Sequence, residues 1–185
     1  MKKLILLFVL LLSTTIFAQD DNELPYADIS NTPESYTPGA VTARMIDGLG
    51  FRYYWATEGL TETDLAYKPS ETGRTTDENL DHLYGLSNFI IKTLLKDIGK
   101  REEVEFASFQ EKRKATLVNF KKASDILLKS EDLSEFDNNR FPFWNLINGP
   151  ISDALWHTGQ IVLLRRASGN PFNSNVSVFA GKLRD

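Results

Sequence analysis

The chain contains no cysteine. No disulfide can staple the fold, so stability has to come from core packing. Thiolate nucleophiles and thiolate metal ligands are excluded together, and any metal would have to be held by nitrogen and oxygen. Histidine is nearly as scarce: the 185 residues include two, His82 and His157. Positive charge is also in deficit, with 21 Lys and Arg against 25 Asp and Glu, a net charge of −4. A surface of that sign is poorly matched to a phosphate backbone, which argues against nucleic acid as a partner. The chain lacks a Gly-rich phosphate loop, EF-hand spacing, a Ser/His/Asp series, an internal repeat and a tail of like charges.

The residues that are present suit one globular domain. Hydrophobic content of 42% with 25% charged residues is ordinary for a folded soluble chain of this length. Residues 1–18 read as a signal peptide. Lys2 and Lys3 form a positive start, Leu4 to Leu12 is an apolar run, and the stretch to Ala18 offers a small residue for cleavage. The run is too short to cross a bilayer comfortably, so no membrane span is expected after processing. The expected location is therefore outside the cytoplasm, periplasmic or secreted. Without Lys2 and Lys3 the balance becomes 19 basic to 25 acidic residues, a net charge of −6.

Residues 19–37, with Pro25, Pro33 and several Asn, Asp and Ser, read as a linker or loosely packed lead-in. The domain is expected over 38–185. Thr37-Pro38 opens a first helix, with Thr37 as N-cap and Pro38 at the first helical position. Val41, Met45, Leu49, Arg52, Ala56 and Leu60 share one of its faces. Gly48 and Gly50 either weaken this helix or let another helix come close. Residues 61–73 read as a loop. Thr75-Thr76-Asp77-Glu78 starts a second helix, running to about Ile98 on a stripe of Leu83, Leu86, Ile90, Leu94 and Ile98. A third helix begins at Ser108, with Glu111 completing a capping box, and presents a solvated face of Lys112, Lys114, Lys121 and Lys122. A fourth comes after Phe141-Pro-Phe-Trp144, with Pro150 either starting or kinking it, and ends at Ser168-Gly169-Asn170-Pro171. Val176 to Phe179 lies in a short tail that could be extended and packed on the helices. Helical stripes without a convincing sheet predict an all-α fold, a four-helix bundle.

The fourth helix carries the chemistry. Leu146, Pro150, Asp153, His157, Ile161 and Leu164 fall on one line at steps of three and four. Asp153 and His157 therefore project one turn apart from an otherwise apolar stripe, where a charge is costly unless paired. A divalent metal would pair with both, and His82 is the natural third ligand. Two imidazoles and a carboxylate leave positions for water or substrate, which suits a reactive site more than a closed structural one. Zn, Ni, Fe and Mn are all admissible. A direct hydrogen bond between Asp153 and a histidine, without metal, explains the same polar positions. Gln160 could support the site, and Glu78 could orient His82 or cap its helix. Trp55, Trp144 and Trp156 read as core or pocket lining.

The segment Asp153-Ala-Leu-Trp-His157-Thr-Gly-Gln160-Ile, with Arg165-Arg166 and Gly169-Asn-Pro171 after it, resembles the last helix of the DinB-like superfamily. In that family a His-x-x-x-His, often followed by x-Gly-Gln, lies on this helix, and a third histidine lies near the start of the second. Here His157 matches the second histidine of the pair, and His82, in Asn79-Leu-Asp-His82-Leu, matches the third. Asp153 stands where the family has the first histidine, so it either ligates or acts as a base toward bound water. The resemblance covers residues 38–171 in layout and implies a four-helix bundle holding a divalent ion, often in a homodimer. Relatives include thiol-cofactor-dependent transferases, a maleylpyruvate isomerase and proteins classed as metal-dependent hydrolases. Export disfavours the thiol-dependent reaction, since such cofactors are chiefly cytoplasmic. Two functions are expected on these grounds. One is an exported metal-dependent hydrolase of an unidentified small molecule, with His82, Asp153 and His157 holding the ion. The other is a non-catalytic bundle that binds a ligand or partner.

Overall fold

The structure, a computed structural model, describes residues 24–99 and 104–184. The signal peptide expected over 1–18 lies outside these. The described chain is predominantly helical: α1 (Pro38–Thr57), α2 (Glu62–Ala66), α3 (Thr76–Leu94), α4 (Phe109–Leu127), α5 (Phe143–Leu146) and α6 (Ser152–Ala167). A 3-10 turn spans Leu133–Phe136, and a wide π turn, Ile147–Ile151, joins α5 to α6. A two-residue hairpin, β1 (Val176–Ser177) with β2 (Lys182–Leu183), closes the described chain. No described helix is long and apolar enough to cross a membrane.

The helix starts are set by local chemistry. Thr37 Oγ1 accepts from the Ala40 amide, with Pro38 behind it. Thr75 and Glu78 exchange both bonds of a capping box, so Glu78 caps α3 and is not turned toward His82. Ser108 caps α4 alone; the Glu111 carboxylate takes the Ala107 amide instead of closing the box. The residues read as a loop after α1 contain α2, started by a second capping box between Thr61 and Asp64. At the other end, α3 stops at Leu94, short of Ile98, with Lys96 at φ 58 turning the chain.

Four long helices share one core. α4 packs on both α1 and α3, and α6 packs on both α3 and α1. Ile46, Tyr53, Leu80, Leu83, Leu117, Phe120, Leu146 and Ile161 are fully buried among them. Leu49, Ala56 and Leu60 are buried as expected, but the first half of α1 turns a different face inward. Val41 and Met45 are about half exposed, while Gly39, Ala40, Ala43 and Ile46 face inward. The reason is close approach: a Cβ on Gly39 would lie 2.2 Å from the carbonyl oxygens of Leu127 and Ser130 at the end of α4. Gly50 serves the lead-in instead of another helix, because the ring of buried Tyr26 occupies the space a Cβ there would need. That lead-in is tied down further by Trp55 Nε1 on the Ala27 carbonyl and by Arg44 on those of Ile29 and Asn31.

Two more expectations are corrected. Lys112 is buried, not solvated; its ammonium bridges Asp77 and Asp81 on α3 and locks α4 to it. Lys114, Lys121 and Lys122 are exposed as expected. Trp144 and Trp156 are largely exposed and line no core, although Trp55 is partly covered.

Candidate functional site

The three residues singled out by chemistry converge. α3 and α6 pack together, and the His82 and His157 rings meet edge to face with centroids 4.4 Å apart. Asp153 lies between them: its Oδ2 is 3.1 Å from His82 Nε2 and its Oδ1 is 3.4 Å from His157 Nε2. One potential ligand atom from each residue falls within 4.8 Å of the others, a group that could hold a metal ion. Nitrogen and oxygen ligands at about 2.0–2.2 Å from a zinc-like ion sit roughly 3–3.5 Å from one another. Both separations involving Asp153 are of that size.

Backbone geometry places these side chains. The Thr75 cap sets the first turn of α3, putting Asn79 and His82 on the side that faces α6. In the π turn before α6, Gly149 leaves helical geometry at φ −87, ψ −105, directly before Pro150. A π turn adds a residue to the turn and rotates the helix beyond it, a device frequent at functional sites. Ser152 Oγ takes the Ile147 carbonyl, and Asp153 comes directly after it, aimed at α3. Pro150 therefore kinks a longer helical run instead of starting it.

Hydrogen bonds then fix which nitrogen of His157 carries its proton. The Asn79 amide donates through Nδ2 to the Thr75 carbonyl at 2.9 Å, which orients its Oδ1 toward His157 Nδ1 at 3.2 Å. Gln160 Oε1 stands 3.0 Å from the same nitrogen. With two acceptors facing it, Nδ1 must be the donor, and Nε2 of the neutral ring is left with a lone pair. Burial, and after it the neighbouring His82 ring, holds the His157 pKa below its ordinary 6.5, against the pull of Asp153 and Gln160 in the other direction. The neutral ring is thus the form at neutral pH. Its Nε2 lone pair faces the Asp153 Oδ1 atom, so the two electron-rich atoms repel.

The site is open. Asp153 keeps 40% of its side-chain exposure and His82 34%, while His157 keeps 15%. The carboxylate is therefore not the core-buried charge that the apolar stripe suggested: Leu146 and Ile161 are buried, and Asp153 sits at the rim. A cleft of about 600 Å3 reaches both His82 and His157 between the loop before α3 and the end of α6. A second, of about 690 Å3, has His82 on its rim and Tyr84, Phe89 and Arg140 along its walls. Asp153 Oδ2 and His82 form a hydrogen bond without help from an ion.

Arg165 has a structural task. Its buried guanidinium donates to the carbonyls of Trp55, Ala56 and Glu58 at the end of α1, and to Asn170. Arg166 stacks over Phe172. Asn79 and Arg74 are the site residues that sequence reasoning missed. An Asn in the first turns of a helix reads as local capping, and an Arg in a polar loop carries no periodic signal. No family model, curated protein or solved structure matches the chain.

Proposed function

We propose that the chain is an exported protein of DinB-like type, a four-helix bundle that binds a divalent transition metal through His82, Asp153 and His157 and hydrolyses a small molecule. The observation that carries this reading is the lone pair of His157 Nε2 set against Asp153 Oδ1. A direct hydrogen bond accounts for His82 but not for this contact, because the His157 proton is committed to Asn79 and Gln160. A cation held by both residues would offset that repulsion. The donor set also fits: two imidazoles and one carboxylate suit Zn, Ni, Fe or Mn and would leave coordination positions for water or substrate.

Such an ion supplies Lewis-acid polarisation of a carbonyl or acidification of a water. The chain's own residues do the rest. Asn79 and Gln160 hold the His157 ring in one tautomer and one orientation, the support that histidine ligands commonly need. Asp153 presents an oxygen to each imidazole, and would serve either as a ligand or as a base toward water. His82 closes the set from α3, so the site exists only when α3 and α6 are packed.

A non-catalytic binding bundle is the second reading, favoured by the His82–Asp153 hydrogen bond, which satisfies two of the three residues unaided. Elemental analysis of protein purified without chelator or nickel column, beside His157→Ala, separates the two. About one equivalent of transition metal in the wild type and little in the variant supports the metal site. Equally negligible metal in both overturns it. The homodimer implied by the family resemblance belongs to the same proposal, and sedimentation velocity tests it.

A further inference from the structure

The cleft that reaches His82 and His157 is asymmetric in a way that selects its occupant. Arg74 is the one cation among its described lining residues. Its side chain is exposed, and its guanidinium makes no hydrogen bond or ion pair with any described residue. The other charged groups nearby are already engaged: Asp77 and Asp81 hold Lys112, and Glu78 caps α3. Pro69, Leu163 and Ala167 add apolar surface to its lining, and Leu163 is 65% exposed. An exposed leucine facing a cleft beside an unpaired guanidinium is the lining expected around a ligand with one charged end and an apolar body.

We propose that Arg74 anchors the carboxylate of a small, apolar monocarboxylic acid derivative, the substrate of the metal site, with the body of the molecule lying on Leu163 and Ala167. The guanidinium fork matches a carboxylate in a bidentate pair. A single cation neutralises a single negative charge. A planar carboxylate fills the guanidinium fork with no charge left over at Arg74, which makes it a better match than a phosphate monoester. This assignment rests on the proposed metal site only for the fate of the ligand after it binds. The anchor itself needs Arg74 and the apolar wall, not the ion.

The test uses 3-phenylpropionate and its uncharged counterpart 3-phenylpropionamide as probes, monitored by amide chemical-shift titration of the full mature chain, with and without one equivalent of zinc. The acid is expected to shift the amides of Arg74, Gln160, Leu163 and Ala167, and the amide probe to bind more weakly. Arg74→Gln should weaken the acid about tenfold or more, the loss of a charge-assisted bidentate bond. Arg74→Lys, which keeps the charge without the fork, should fall between. Zinc content should be the same in all three proteins. Equal affinity for acid and amide, unchanged affinity in Arg74→Gln, or no shift at these residues overturns the anchor. If the wild type fails to bind zinc yet still binds the acid through Arg74, the anchor stands and the metal reading falls. If zinc binds and the acid does not, the reverse holds.

Discussion

Two polar clusters on α6 are built for different ends. Toward the helix C-terminus, Arg165, Ser168 and Asn170 join Asp64 of α2 and the last carbonyls of α1. Asp64 alone accepts from Thr61, Ser168 and Asn170, and is 2% exposed. Every group there has a complementary partner, and the cluster is shut. Near the N-terminal end of the same helix, His82 and His157 line a cleft, Asp153 keeps 40% of its side-chain exposure beside them, and one imidazole nitrogen faces a carboxylate oxygen. A saturated polar network rigidifies a fold, whereas imidazoles and a carboxylate gathered at the surface are a group that could hold a metal ion. The contrast separates the cluster that ties the helices together from the one that could hold a metal ion.

Breaking the closed cluster should have the largest effect. Arg165→Met removes the donor to four backbone carbonyls and leaves Asp64 without its nearby cation, a loss of about 3 kcal/mol for a buried charged hydrogen-bond centre. Urea denaturation should show it, while metal per folded molecule stays unchanged. A variant that loses its metal along with its stability would erase the distinction between the clusters.

Breaking the open cluster should do the opposite. Asp153 and His157 are partly exposed, so His157→Ala should change the stability of the metal-free protein by less than about 1 kcal/mol. Zinc at 100-fold above its Kd should stabilise the wild type by about 2.7 kcal/mol and the variant hardly at all, read as a shift in Tm. A wild type indifferent to zinc would count against the site.

Acid should separate the two clusters on one axis. Burial alone would raise the Asp64 pKa, but the hydrogen bonds from Ser168, Asn170 and Thr61 outweigh it and bring it down to about 2. A carboxylate with a depressed folded pKa contributes stability that is complete above its ordinary value of 3.8 and is lost as pH falls through about 2. The closed cluster should therefore hold down to about pH 4 and fail below it. Metal is displaced when protons compete for the imidazoles, and the neutral form of His157 persists to below 6.5. Zinc retention and far-UV circular dichroism, tracked together during acidification, should show zinc leaving first and helix content later. Simultaneous loss would mean that the ion, not the Arg165–Asp64 network, holds the helices together.

Much of this was legible before the structure, and the boundary is physical. Caps are local chemistry, so Thr37-Pro38, Thr75 to Glu78 and Ser108 announced three helix starts. The convergence of His82, Asp153 and His157 could be read from helical spacing and scarcity, since the chain has two histidines. The features that escaped depend on contacts between distant segments. The buried face of α1 is set by Gly39, Ala40 and Ala43, small residues that matter because α4 comes close, whereas a search for large apolar side chains selects Val41 and Met45. Lys112 looked like part of a solvated row until Asp77 and Asp81 of α3 met it. Asp64 and Ser168 are 104 residues apart in the chain, and nothing in either neighbourhood points to the other.

The support of His157 gives the finest test, because its two partners are unequal in a way that ranks them. Asn79 is nearly buried, at 3% exposure, and its amide is pinned at the other end by the Thr75 carbonyl. Gln160 has a longer, partly exposed side chain and no second bond that holds it in place. Removing the pinned acceptor frees the ring to choose the other tautomer, which places a proton on the nitrogen meant for the ion; removing the loose one leaves the pinned acceptor in charge. Asn79→Ala should accordingly lower zinc affinity by about tenfold or more, within the range for lost support of a ligating histidine. Gln160→Ala should lower it only a few-fold, as a competition titration against a chromophoric chelator would measure. Nitrogen chemical shifts of the His157 ring in the metal-free proteins report the tautomer directly. They should show the proton on Nδ1 in the wild type and in Gln160→Ala, and a mixture in Asn79→Ala. A reversed order would mean that Gln160, not Asn79, sets the ring, and that the capped start of α3 orients the site less than its hydrogen bonds suggest.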